Sequence, residues 1–148
     1  NFWSRKPVER KSTMVCFTFD DYENYVMPYG ADIYISQMEK LLTRWQAGIA
    51  ALSEIDGNAA TEELKRMAKG VYIHLSSAKN LALFTREKRN GFKDEDLVNR
   101  LILSERALTL DLYDLICQDA KIGYEMTNHY FYNANLLLEK LLNLKYLV

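Results

Sequence analysis

Residues 32–52 read DIYISQMEKLLTRWQAGIAAL, and the spacing of their apolar positions decides the fold class. Ile35, Met38, Leu41, Leu42, Trp45, Ile49 and Leu52 recur at steps of three and four. That period puts all of them on one face of an α-helix. Asp32 stands where an N-cap carboxylate would accept from the free amides of the first turn. Asp56-Gly57-Asn58 follows the last apolar position, and its glycine is available for a left-handed C-cap.

The same period continues toward the C-terminus. A second helix is expected from about Thr61 to Arg89, with Leu64, Met67, Ala68, Val71, Leu75, Ala78 and Ala82 as its apolar stripe. Glu62 lies four residues before Arg66, the favourable order for an ion pair on a helix surface, and Asn90-Gly91 closes the element. Lys93-Asp94-Glu95-Asp96 opens a third helix with acids in the first turn, where the macrodipole favours negative charge. Leu97, Leu101, Ser104, Leu108, Leu112 and Leu115 are its expected inner line. After a break over Asn128 to Asn135, the run Leu136 to Leu147 supplies a last amphipathic helix. Short connections make successive helices antiparallel neighbours. The expected fold is therefore all-α: an antiparallel bundle of three long helices plus a shorter C-terminal helix over 32–148, preceded by an extended arm over 1–31.

Residues 1–13 mix basic residues, an acid and a proline without periodicity, which reads as a connector. Met14-Val15-Cys16-Phe17-Thr18-Phe19 is rich in β-branched and aromatic residues and has the character of a short strand. No second strand accompanies it in the sequence. It is expected either to pack on the bundle as extended chain or to pair with something outside this chain.

Composition narrows the function classes. Hydrophobic residues make up 49% and charged residues 26% of the 148 positions, which is the balance of a globular domain with one core. A net charge of -1 creates no positive field to gather phosphates, so neither nucleic acid nor an anionic membrane is an expected partner. No apolar run is long enough to cross a bilayer. Cys16 and Cys117 sit among apolar neighbours and read as small buried hydrophobes. The sequence opens on Asn1 rather than methionine, which fits a piece of a longer chain.

The search for chemistry returns little. His74 and His129 have no partner at metal-ligand spacing, so no metal and no cofactor is expected. His74 falls on the flank of the second helix's stripe and reads as a half-buried, hydrogen-bonded imidazole, with Ser76, Ser77 and Asn80 as interhelical hydrogen-bonding groups rather than a nucleophile system. Asp20 and Asp21 are adjacent, and on extended chain they would point to opposite sides, unlike the facing carboxylates of a glycosidase. A solvated turn is the simpler account of them. Glu125 precedes Asn128-His129-Tyr130-Phe131-Tyr132-Asn133, where four aromatic rings stand between two amides. Such a cluster suits either a corner between helices or a contact surface, because flat rings meet the apolar faces of sugars while amides reach hydroxyls. No catalytic residue is assigned. An autonomous enzyme would have to gather Asp20, Asp21, Glu125 and His129 at one site, and no acid pair poised for distinct protonation states is visible.

The stretch Lys121-Ile122-Gly123-Tyr124-Glu125-Met126-Thr127-Asn128-His129-Tyr130-Phe131-Tyr132, followed by Leu138-Glu139-Lys140-Leu141-Leu142-Asn143, resembles the C-terminal helical region of large bacterial glycoside-hydrolase-like proteins, related in layout to α-glucuronidase-type enzymes. Ser12-Thr13-Met14-Val15 with Phe19-Asp20-Asp21-Tyr22, then Pro28-Tyr29-Gly30, Trp45-Gln46-Ala47-Gly48 and His74-Leu75-Ser76-Ser77-Ala78-Lys79-Asn80, fit the same pattern. One departure is Tyr124-Glu125-Met126-Thr127, where the pattern has Phe-Glu-Ala-Ser. The resemblance implies a catalytic (β/α) barrel upstream in the same parent chain, carrying the hydrolytic acids. It makes this chain a non-catalytic accessory domain, with that barrel, a carbohydrate or a second copy of the chain as expected partners. Asp20, Asp21, Tyr22, Glu125, Asn128, His129, Tyr130 and Tyr132 are the candidate carbohydrate or domain-interface contacts. The competing expectation is a free-standing helical module that docks a protein partner through its aromatic corner.

Overall fold

A computed structural model describes residues 3, 5, 28–123 and 133–147. Four helices follow in order: α1 (Ala31–Ser53), α2 (Ala59–Arg89), α3 (Glu95–Gln118) and α4 (Ala134–Lys145), with a 3₁₀ turn at Ala120–Gly123 between the last two. The all-α architecture of three long helices and one shorter one is the expected one. Each helix packs on its neighbour in the chain, α1 on α2, α2 on α3 and α3 on α4. Cross-contacts give the direction. Trp45 meets Ala68 while Asp32 meets Arg86, and Lys69 meets Asp111 while Asn80 meets Ser104, so advancing along one helix means retreating along the next.

The helix ends show which local signals the chain uses. No side chain caps α1, which is entered through Gly30 at a φ of 82°. Asp32, the expected cap, lies inside the first turn, where its charge still suits the macrodipole, and it accepts from Arg86 at 3.4 Å. Gly57 is not in the left-handed conformation expected of it. A Cβ at that position would stand 2.7 Å from the Thr61 Cβ, so the turn needs glycine for space. Asn58 belongs to the next helix, with its side-chain oxygen accepting from the amides of Ala60 and Thr61. The partner of Glu62 is Lys65, at 2.9 Å, and Arg66 turns to Asp119 instead of pairing back to Glu62.

The end of α2 is as the sequence indicates, and closes in a Schellman motif. Gly91, at a φ of 76°, donates to the Lys88 carbonyl, and Phe92 donates to the Glu87 carbonyl at 2.8 Å. Phe92 itself has a φ of 54°, an uncommon left-handed conformation for a residue with a side chain. A contact with the apolar core accompanies it: the Phe92 ring lies 5.6 Å from that of Phe84, further back along α2. Asp94 then caps α3 by accepting from the Leu97 amide, and Asn133 caps α4 by accepting from the Leu136 amide, each at 2.9 Å.

Burial follows the expected stripe on α1, where Ile35, Met38 and Leu42 are inside, although Leu41 is exposed. On α2 it does not. Leu64, Met67 and Val71 are exposed, whereas Ile73, Ser76, Asn80 and Phe84 are buried. The cause is that α2 is flanked by α1 and α3 on two sides, so the face it hides is wider than one stripe and includes polar positions. On α3 the inner line is rotated for the same reason: Val98, Ile102, Glu105, Thr109 and Ile116 are buried together with Leu101, Leu112 and Leu115, while Ser104 is exposed.

The core has two main apolar layers and a smaller contact of Ala82 with Ala31 and Tyr34 that joins α1 to α2. Phe84, Val98, Leu101, Ile102 and Leu144 form one with Trp3, and Ile73, Leu112, Leu115, Ile116 and Leu137 form the other. Trp3 and Arg5, residues of the expected arm, are docked on the first layer. The Trp3 ring sits 4.6 Å from Phe84, and Arg5 stacks over Phe92 while pairing with Glu95 at 3.1 Å. The strand-like segment 14–19 lies outside the described residues.

Candidate functional site

On each of three helices a polar residue falls between the two apolar layers. On α2 these are Ser77 and Asn80, between Ile73 and Phe84. Glu105 lies between Ile102 and Leu112 on α3, and Lys140 between Leu137 and Leu144 on α4. They meet in one network. Glu105 is 0% exposed, and its Oε1 accepts from the Ser77 hydroxyl and from Lys140 Nζ at 2.5 Å. Its Oε2 accepts from Asn80 Nδ2 at 3.2 Å, and Asn80 also donates to Ser104 Oγ at 3.1 Å. One turn onward, Thr109 donates to the Glu105 carbonyl at 2.7 Å.

This arrangement meets the condition for a buried charge, because the carboxylate has an opposite charge and hydrogen-bond donors on both oxygens. Lys140 Nζ is also 3.5 Å from Ser77 Oγ, a pairing that elsewhere activates a serine nucleophile. Here the ammonium is held against Glu105. The cavity bounded by His74, Ser77, Glu105, Thr109 and Lys140 has a volume of about 10 Å3, room for no more than a water. The network can specify how the helices pair, and it has no free group to offer a reaction.

His74 stands at the edge of the network, half-buried, between this cavity and an apolar pocket of about 270 Å3 lined by Met67, Gly70, Val71 and Ile122. Burial, and then the nearby Lys140 charge, push its imidazole below the ordinary value of 6.5. The folded state therefore resists protonation more than the unfolded chain does. As pH falls through about 6.5 the unfolded state takes up a proton first, and stability declines until the lower folded value is passed. Urea midpoints measured between neutral and mildly acidic pH are expected to fall in the parent chain and to fall less in His74→Gln. Parallel curves for the two proteins would show that His74 does not contribute to the slope.

The candidate contacts Asp20, Asp21, Tyr22, Glu125, Asn128, His129, Tyr130 and Tyr132 all lie outside the described residues, as does Cys16. Cys117, expected to be buried, is exposed near the end of α3. Of the three groups expected to hydrogen-bond between helices, Ser77 and Asn80 do so, whereas the Ser76 hydroxyl is buried and makes no such bond. Glu105 and Lys140 were not singled out by sequence reasoning. The available signal was position: Glu105 sits four residues from both Leu101 and Thr109, on the seam that α3 turns inward.

Among the described residues no cluster of histidine, cysteine and acid side chains could hold a metal ion, and no helix is long and apolar enough to cross a membrane. Comparison with protein-family models, curated proteins and solved structures finds no match for this chain.

Proposed function

We propose that the chain is a non-catalytic helical accessory domain of a carbohydrate-active enzyme, a glycoside hydrolase, in which it supports the catalytic barrel or an oligomer interface. The observation that carries the non-catalytic part is the state of Glu105. The one completely buried carboxylate among the described residues has its oxygens committed to Ser77, Asn80 and Lys140, in a cavity that admits no substrate. The supporting part draws on the outer faces. Leu103 and Leu110, 55% and 52% exposed, are seven residues apart on α3, and Leu64, Met67 and Val71 form a second exposed apolar row on α2. Single exposed leucines are ordinary, but rows at helical spacing are what a neighbouring domain covers. The direction toward glycoside hydrolases comes from the resemblance of residues 121–143.

Two experiments test this reading. Aryl-glycoside assays on the 148-residue chain are expected to show no turnover above buffer, and sustained turnover would defeat the non-catalytic reading. Sequencing the gene upstream of the Asn1 codon is expected to reveal an in-frame catalytic barrel. A reading frame that begins near residue 1 would favour the free-standing interaction module, for which the same apolar rows would be the docking faces.

A further inference from the structure

The outer face of α3 carries a pattern that is complementary to itself. The helix packs on α2, on α4 and on the 3₁₀ turn, and on the side turned away from them Arg100, Leu103, Ala107, Leu110 and Asp114 are exposed. These five residues recur at steps of three and four, so they form one line along the helix. Its two leucines are each more than half exposed, and the small side chain of Ala107 between them lets another helix approach closely.

The charges at the two ends of the line decide what fits there. Arg100 lies seven residues before Ala107 and Asp114 seven residues after it, which is about 10 Å to either side along the helix axis. A two-fold axis at Ala107 that sets two copies of α3 antiparallel brings Arg100 of each copy against Asp114 of the other, and Leu103 beside Leu110. Each contact is then made twice, as an isologous interface requires. Parallel pairing would set Arg100 against Arg100 and Asp114 against Asp114, so repulsion excludes it. The remaining acids of this face do not oppose the antiparallel arrangement. Asp111 is paired with Lys69 of α2 at 3.4 Å, and Asp96 falls opposite the uncharged Gln118. An unrelated surface would have to match the order of base, leucine, alanine, leucine and acid, whereas a second copy supplies it by symmetry.

We propose that two copies of the chain associate through the outer faces of their α3 helices, antiparallel about Ala107, with the leucine seam closed at each end by Arg100 and Asp114. The inference rests on the oligomer-interface part of the proposed role and names its partner and geometry. It requires neither a barrel nor a sugar. One helix pair buries less area than a standard interface, so the dissociation constant is expected to be on the order of 10–100 μM.

Sedimentation velocity of the 148-residue chain across that range is expected to show a reversible monomer and dimer. Leu110→Asp, at an exposed position, is expected to abolish association and leave the helical circular dichroism unchanged. Arg100→Asp and Asp114→Arg each set like charges at both ends of the seam and are expected to weaken self-association at least about tenfold. An equimolar mixture of these two variants is expected to associate as tightly as the parent, because each supplies the charge that the other lacks. Misfolding could not produce that rescue. A chain that stays monomeric at the highest concentration would overturn the proposal, as would a dimer that Leu110→Asp leaves intact or charge variants that associate no better mixed than apart. The accessory-domain reading survives each of those results, with the barrel as the cover of the row, and fails instead on an upstream sequence that encodes no barrel.

Discussion

Replacing Glu105 with alanine is expected to destabilise the chain by about 3–5 kcal/mol, among the largest effects of any single substitution. The carboxylate is wholly buried and joins three helices, so its removal leaves the Lys140 ammonium against a cavity and deprives Ser77 and Asn80 of their common acceptor. Lys140→Met should cost a similar amount for the opposite reason, since it strands a buried negative charge. The double variant Glu105→Leu/Lys140→Met distinguishes a charge effect from a packing effect. With neither charge present the desolvation cost disappears, and much of the loss is expected to return, with a coupling of about 2 kcal/mol or more. Thermal or urea unfolding of the parent, Glu105→Leu, Lys140→Met and the double variant completes the cycle. At roughly 2–4 °C per kcal/mol for a chain of this size, each single variant should melt about 10 °C below the parent. A loss under about 1 kcal/mol in both singles would mean that the network is incidental to the fold.

The same network explains why the sequence revealed the helices more clearly than their faces. Period and caps are local properties. The apolar steps from Ile35 to Leu52, the Asn90-Gly91 stop and the acids at Asp94 to Asp96 each act through the few residues beside them, and the structure bears them out. Which side of a helix is hidden depends on its neighbours. A reading that seeks carbon in the interior assigns Leu64, Met67 and Val71 to the core and passes over Glu105 and Lys140, because it prices each charged side chain as if it were alone. Once Ser77, Asn80, Glu105 and Lys140 satisfy one another, the penalty that would expel them is removed. That pairing spans 63 positions from Ser77 to Lys140, beyond the reach of any local pattern. Asp32 and Gly57 show the same limit at short range. Both residues are where the chain turns, yet one cap comes without a side chain and the other glycine answers to the bulk of Thr61.

The arm shows a further case in which distant contact decides the outcome, and it supports the second large prediction. Trp3 and Arg5 lie in a stretch with no period of their own, and they dock because α2 and its closing turn present a receptive surface. Phe84 is the centre of that surface: fully buried, tilted against Trp3 on one side and against Phe92 on the other. Phe84→Ala is expected to cost about 3–5 kcal/mol, combining lost transfer energy with the cavity left behind. Each aromatic contact contributes about 0.5–1.5 kcal/mol beyond its area. The surface ion pair of Arg5 with Glu95 cannot replace them, since exposed pairs are worth about 0–1 kcal/mol. Phe84→Leu should lose less, about 1–2 kcal/mol, because it keeps most of the volume while forfeiting the ring contacts. Trp3 reports on the site directly if Trp45, which donates to the Ala68 carbonyl at 2.9 Å, is first changed to phenylalanine to silence its emission. In that background Phe84→Ala should shift the remaining tryptophan emission to the red under native conditions, as the indole loses its partner and meets water. The closing turn should loosen with it, because the left-handed Phe92 is held by the contact that Phe84 provides, and amide exchange at Gly91 and Phe92 should accelerate. An unshifted emission together with a loss below about 1 kcal/mol would place Trp3 elsewhere than on Phe84 in solution.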